Sequence, residues 1–434
     1  MSANQIDVLI IGGGPGGSSA ATFLARAGKR VLVLEKEVFP RFHIGESLLP
    51  YNHAIFREMG VLPALQAAGF PRKLAAQFHL GNGSLGTRFV FKDGKFTREP
   101  EAIQVERAVF DHVLLKHARG CGADVREGWT VQGFQSDTTG VTVQALAPDG
   151  AAHSFRAAFL IDASGRGNVT GNQEGTRIVH PKWRKLALFG HFTDVELDPG
   201  EAVTDTHIVR LDNKWFWIIP LSPEKTSVGL VIDKDEFAQE KGSLEEIFRR
   251  WVDTSVLVKR RMRNAHLTGT MRTTADFSYY NRTLVSKRLV RVGDAAGFMD
   301  PIFSAGVFLA MWSGKIGAEA VIKALDAGND GKRGFRKYEK RVRTGMMFYW
   351  KVVENYYTTP FMELFLQPRD HYDLPSAVIE VLAGHVEGHW ALRWRLAYFF
   401  LLVKIQARFP LVPRISFAQP KTSAAKDTPH VTTV

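Results

Sequence analysis

Cysteine is almost absent from this 434-residue chain, in which Cys121 stands alone. One thiol closes no internal disulfide and builds no cysteine-rich metal site, so no metal is expected. A signal peptide is also missing, because no basic segment followed by a long apolar core opens the sequence. Toward the other end, the longest strongly apolar run, 396–403, falls far below the ~20 residues that span a bilayer. These absences predict a cytoplasmic protein with no transmembrane segment, leaving peripheral contact as the only membrane role. Acidic residues are in deficit, 44 against 56 Lys and Arg, for a net charge of +12. Such a surface favours acidic partners, whether nucleic acid, anionic membrane or an acidic carrier protein. No nucleic-acid-binding motif accompanies the charge, which argues against nucleic acid. The rest is ordinary for a folded protein, 45% hydrophobic and 23% charged, and long enough for two or three structural units.

What is present begins at the N-terminal side. Residues 6–11 form a short apolar, β-branched run, followed by Gly12-Gly13-Gly14-Pro15-Gly16-Gly17, a helix-prone stretch at 18–27 and a buried-strand pattern at 30–35. In the fingerprint Gly12-x-Gly14-x-x-Gly17 the first glycine permits the tight turn. The second lets the backbone approach a pyrophosphate, and the third lets helix and strand pack closely. The helix N-terminus adds a positive dipole. Glu35 ends the second strand, where an acid accepts the ribose hydroxyls. A lone glycine motif is weak; both strands and Glu35 make it a dinucleotide site.

The segment Leu289-Val290-Arg291-Val292-Gly293-Asp294-Ala295-Ala296-Gly297 selects FAD over NAD. There a buried strand ends in G-D-A-A-G, which resembles FAD enzymes of the hydroxylase type, where an aspartate in that place binds the ribityl chain; Asp294 would do so here. Arg41 and Ser47, in F-P-R-F-H-I-G-E-S-L, and Arg107, in V-E-R-A-V-F-D, fit the same flavin site, Arg107 on the pyrophosphate. Asp276 also falls where it could approach the flavin. Two features are absent. Where self-reducing flavin hydroxylases carry a G-A-D-G-like segment, this chain reads Ile161-Asp162-Ala163-Ser164-Gly165, and no second complete G-x-G-x-x-G follows. Reduced flavin is therefore expected from a separate reductase.

The fold class predicted is α/β, a Rossmann-type FAD-binding fold interleaved with a mostly antiparallel β-sheet substrate region, plus a C-terminal helical region. The core is placed at 1–330, with FAD parts at 1–50, 100–180 and 270–330 and the sheet region at 51–99 and 181–269. A helical region is expected at 331–418, and a disordered polar tail at 419–434. Helices are predicted at 50–59, 105–119, 244–263 and 306–325, the third as one continuous piece.

Trp215-Phe216-Trp217-Ile218-Ile219-Pro220 is the most informative stretch. On a strand, alternate side chains share a face, so both indoles point the same way. Two rigid rings beside a flavin can wall it from an organic substrate while a small oxidant leaves by another path. Taken alone, W-x-W is more often a core strand; its neighbours give it meaning.

With these segments in hand, roughly residues 5–325 resemble the flavin-dependent halogenases, in the branch that takes phenolic or carrier-bound aromatics. The resemblance rests on the glycine fingerprint, the F-P-R-F-H-I-G-E-S-L segment, Lys73, Trp215 and Trp217 with Ile219-Pro220, Gly293-Asp294, and F-x-x-P-x-x-S-x-G at Phe298, Pro301, Ser304 and Gly306. It implies that reduced FAD and O₂ oxidise chloride or bromide to hypohalous acid. That acid travels through a tunnel to Lys73, which holds it by hydrogen bonding or as a haloamine for attack by the aromatic ring. Pro301, Ser304, Ala305 and Gly306 would hold the halide, since free N–H groups and the dipole at a helix start attract an anion. Arg72 could not replace Lys73, because a guanidinium stays protonated. Halogenases of free tryptophan place a glutamate before the motif serine. Here Phe303 stands there, which argues against free tryptophan and resembles the branch that takes phenols or electron-rich acyl groups on a carrier protein. The competing reading is a flavin monooxygenase or oxidoreductase, isoprenoid reductases included, on the same fold.

Overall fold

In the computed structural model, residues 6–181, 183–275, 278–385, 390–418 and 431–434 are described. Asp276 lies outside them. The first sheet runs in the order Val285–Ser286, Leu289–Arg291, Ala152–Asp162, Ile6–Ile11, Val31–Glu35, Asp124–Glu127. Its central pairs are parallel, and the hairpin of Thr130–Ser136 and Val141–Leu146 attaches antiparallel to Ala152–Asp162. Every residue of Val31–Glu35 is buried, as expected of a parallel strand covered on both faces.

The helix Pro15–Arg26 lies against Ala305–Asp326. A Cβ added at Gly314 would stand 2.4 Å from the Gly16 carbonyl oxygen, so glycine there allows the backbones to touch. Ser19 adds a hydrogen bond to the Met311 carbonyl at 3.0 Å. Ala305–Asp326 is long and apolar enough to cross a membrane, but 72% of that stretch is buried within the fold. It is a core helix.

The second sheet has the order His266–Ala275, Lys185–Thr193, Lys225–Asp233, Trp215–Ser222, Thr206–Arg210, Ala75–Leu80, Gly86–Val90, Val431–Thr433. Alternation on the tryptophan strand divides two cores. Trp215, Trp217, Ile219 and Leu221 join the large core facing the first sheet. Phe216 and Ile218 join the core under the helices Leu244–Asp253 and Val256–Arg261. Beyond Ala305–Asp326 the chain forms helices at Lys332–Tyr356, Thr359–Phe365, Leu374–Ala383 and Trp390–Arg408.

Two expectations change. The helix anticipated at 244–263 is broken, because Ser255 leaves the helical conformation and its Oγ accepts from the Val258 N–H to start a second helix. The tail anticipated as disordered ends in order: Val431–Thr433 pairs in parallel with residues 86–88, while 419–430 lies outside the described residues.

Candidate active site

A cavity of about 640 Å³ lies between the sheets, lined from one end by Gly12, Gly14, Glu35 and Arg41 and from the other by Trp215, Trp217 and Ile219. At the first end, Gly12 has φ +96°, and a Cβ there would sit 2.5 Å from the Ala163 carbonyl oxygen. Gly17 is behind the lining, where a Cβ would fall 1.9 Å from the Gly12 carbonyl oxygen. Buried Glu35 braces this loop: its Oε2 accepts from the Gly13 N–H at 2.6 Å and its Oε1 from the Glu37 N–H at 2.8 Å. The helix that follows has Gly14 as its N-cap and no side-chain cap, leaving its first N–H groups to the cavity.

Arg41 extends over the loop, its guanidinium 3.7 Å from where a Gly14 Cβ would be, and pairs with buried Asp111 at 2.7 Å. Arg107 also lines the cavity, but its N–H groups serve Asp111 at 2.8 and 2.9 Å and the Ile44 carbonyl at 2.8 Å. Between the arginines and Asp111 the segment 41–47 is held against the cavity. Midway stands Asp294, whose carboxyl burial raises to about 6 against the pull of Arg166 and Arg107. Glu46 also lines the cavity. One oxygen meets His191 Nε2 at 2.7 Å, and the other is buried with no partner among the described residues. A glycine cradle, an uncapped helix start, buried carboxylates and an unpaired acceptor in a long cleft fit FAD.

At the far end the indoles of Trp215 and Trp217 have centroids 6.0 Å apart. Trp217 lies on the backbone of Gly229, where a Cβ would come within 2.3 Å of the ring, and its Nε1 donates to Ser227 Oγ at 3.1 Å. Trp215 Nε1 donates to the Tyr357 hydroxyl at 2.9 Å. Pro220 is buried but does not line the cavity, since alternation turns it to the other face. Pro301, Ser304 and Gly306 line the same end, whereas Ala305 is turned away. Ser304, at φ +55°, is the N-cap of Ala305–Asp326 and makes no side-chain cap bond. Phe303 is buried against Phe78 and Tyr356.

Lys73 is separated from this cavity. It sits on the short strand Arg72–Lys73, which pairs with Ala102–Ile103. Only 2% exposed, it donates from Nζ to the Leu48 carbonyl at 3.1 Å and faces the Phe91 ring at 5.4 Å. Burial pushes its ammonium down to about 7, opposed by the Asp205 carboxylate. Leu48 follows Ser47, which lines the cavity and whose hydroxyl meets Thr206 Oγ1 at 2.8 Å. Gln104 Nε2 donates to the same Thr206 oxygen at 2.7 Å. Lys73 is thus hydrogen-bonded to the residue next to Ser47 of the cavity wall and does not itself line the cavity.

Sequence reasoning missed Glu46, Thr206, Asp300 and Tyr357. Glu46 and Asp300 lie within or beside segments already singled out, so a buried acid there was the available signal. Tyr357 carried none.

Fold and cleft together define an FAD-dependent oxidoreductase whose cavity is walled at one end by tryptophans. The FAD binding domain family matches residues 5–342. A 1H-pyrrole-2-carbonyl-[peptidyl-carrier protein] chlorinase of Pseudomonas fluorescens is 30% identical over 410 residues, covering 89% of this chain and 90% of the relative. Among solved structures, the flavin-dependent brominase Bmp2 superposes with TM-score 0.82 at 31% identity, covering 93% of this chain and all of that one. A flavoprotein/dehydrogenase from Cytophaga hutchinsonii gives TM-score 0.85 at 29% identity, covering 93% and 98%. The chain belongs to the flavin-dependent halogenases.

Proposed function

We propose that this halogenase acts on an electron-rich aromatic acyl group, a phenol or pyrrole, presented on a carrier protein, and that Lys73 delivers the halogen. The observation that carries the reading is the placement of Lys73: a buried amine, its ammonium pushed down to about 7, donates to the carbonyl of Leu48, the neighbour of Ser47 in the wall of the FAD cavity. When bound, reduced FAD with O₂ supplies the oxidising equivalents that turn halide into hypohalous acid. The chain's own residues do the rest. Gly12, Gly14 and the helix start cradle the pyrophosphate with Arg41, while Glu35 fixes the loop and faces the ribose. Asp294 accepts from the ribityl hydroxyls, and Ser47 and Arg107 hold the 41–47 segment against the cofactor. The turn Pro301–Ser304 and the N–H groups before Gly306 hold the halide.

Trp215, Trp217 and Ile219 keep the aromatic substrate out, with Pro220 and Ala305 supporting from behind. Lys73 receives the oxidised halogen and orients it toward the ring. Phe303 brings no carboxylate to the substrate, which suits rings activated by their own hydroxyl or nitrogen. The relative's carrier-bound pyrrole and the basic surface support a tethered substrate. The lack of a nicotinamide-binding motif supports a separate flavin reductase.

Mass spectrometry of reactions with FAD, a flavin reductase, NADH, O₂ and chloride or bromide tests this. The substrates are aromatic acyl groups free and on a carrier protein. A halogen isotope pattern confined to carrier-bound substrate is expected. Halogenation of free substrate alone would overturn the tethering. Addition of one oxygen regardless of halide would favour the monooxygenase reading.

A further inference from the structure

The C-terminal region reaches the site at Tyr356, against Phe303, and at Tyr357, against Trp215 and Asp300. Arg210 is buried and pairs in register with Trp215. Its guanidinium donates to the carbonyls of Tyr356 and, at 3.0 Å, Tyr357, at the end of Lys332–Tyr356. It also donates to Leu211 and Asp212 carbonyls at 3.1 and 2.8 Å. These bonds satisfy the open carbonyls of the helix end and fasten it to the tryptophan sheet. Tyr357 is thereby set between two motifs far apart in sequence.

The direction of the bonds at Tyr357 is fixed by chemistry. An indole N–H can only donate, so the hydroxyl accepts from Trp215 at 2.9 Å. Its own proton then goes to Asp300 Oδ2 at 2.8 Å. The other Asp300 oxygen accepts from the Ile302 N–H at 3.1 Å, capping the turn Pro301–Phe303 that leads into Ser304. Trp215 is 1% exposed and Asp300 7%, so water competes little for these bonds. Trp183, Lys185 and Arg210 stand around the Tyr357 ring, at 5.4, 4.8 and 5.2 Å.

We infer that Tyr357 is a positioning residue that holds the proposed halide turn in register with the tryptophan wall. This rests on the assignment of 301–306 to halide made above. Removing the hydroxyl leaves a buried donor and a buried acceptor unmatched, and the turn loses its reference to the wall.

The test is bromide titration of the FAD-loaded protein by calorimetry, which needs no turnover. Tyr357→Phe is expected to weaken bromide binding by about 10-fold, the scale of one hydrogen bond to a charged group, with FAD affinity unchanged. Trp215→Phe is expected to act similarly, and the double variant to be no weaker than the worse single one. Unchanged bromide affinity in Tyr357→Phe, or additive losses in the double variant, would overturn the inference. If Tyr357→Phe fails to fold, Trp215→Phe decides from the other end of the chain of bonds: unchanged bromide affinity there overturns the inference equally. Failure of the halogenation assay on the unaltered protein would instead count against the functional reading, and bromide binding separates the two.

Discussion

Lys73→Ala is expected to lower halogenated product by a factor on the order of 10²–10⁴, the range contributed by a positioned proton-transfer or nucleophilic group. Formation of hypohalous acid, read with a 1,3-diketone trap, should continue, because the lysine stands outside the FAD cavity. Lys73→Arg should be nearly as impaired, since a guanidinium offers no neutral amine. The pH dependence follows from burial. The Lys73 ammonium titrates at about 7 instead of 10.5, so halogen transfer should rise through about pH 7 as the neutral amine appears.

Stability carries the same signature. Between about 7 and 10.5 the unfolded chain holds a proton that the folded one has released, so stability rises with pH across that window. Below 7 the whole penalty of a buried ammonium applies. Lys73→Met should therefore melt higher than the unaltered protein at pH 6, with the gap closing toward pH 10.5. Product formation undiminished in Lys73→Ala would remove Lys73 from the mechanism.

Gly17→Ala is the second large effect. The added methyl would stand 1.9 Å from the Gly12 carbonyl oxygen, and neither the strand end nor the helix can yield without moving the glycine loop proposed to cradle the pyrophosphate. Overpacking of this kind costs roughly 1–3 kcal/mol, and a backbone contact this close falls at the upper end, which predicts about a 100-fold loss of FAD affinity in a fluorescence titration. Gly120→Ala is the control. It ends the helix Arg107–Gly120, where a Cβ meets nothing within 4 Å, so FAD binding should not change. Equal affinity in both variants would refute the packing argument.

Local rules made much of this legible. The glycine spacing predicted the β-α-β turn, and period-two alternation predicted that Trp215 and Trp217 share a face. The same alternation puts Pro220 on the face opposite Trp215, Trp217 and Ile219, so its absence from the cavity wall already follows from the period. Ser255 shows a limit, since a serine that could continue a helix instead begins a new one once Leu257 and Val258 bury in the lower core. Tyr357 was invisible because its meaning comes from Trp215 and Asp300, 142 and 57 residues away. No local pattern encodes contacts of that span.

The strand Val431–Thr433 bears on how the second sheet ends. It covers the outer side of Gly86–Val90, with backbone bonds from Val90 N–H to the Val434 carbonyl at 2.8 Å and from Val434 N–H to the Arg88 carbonyl at 2.9 Å. Without it, a row of backbone donors and acceptors would face solvent as a template for another chain. Residues 431–434 therefore end the sheet on a strand only three residues long, and very short edge strands are one way an edge is kept from templating another chain.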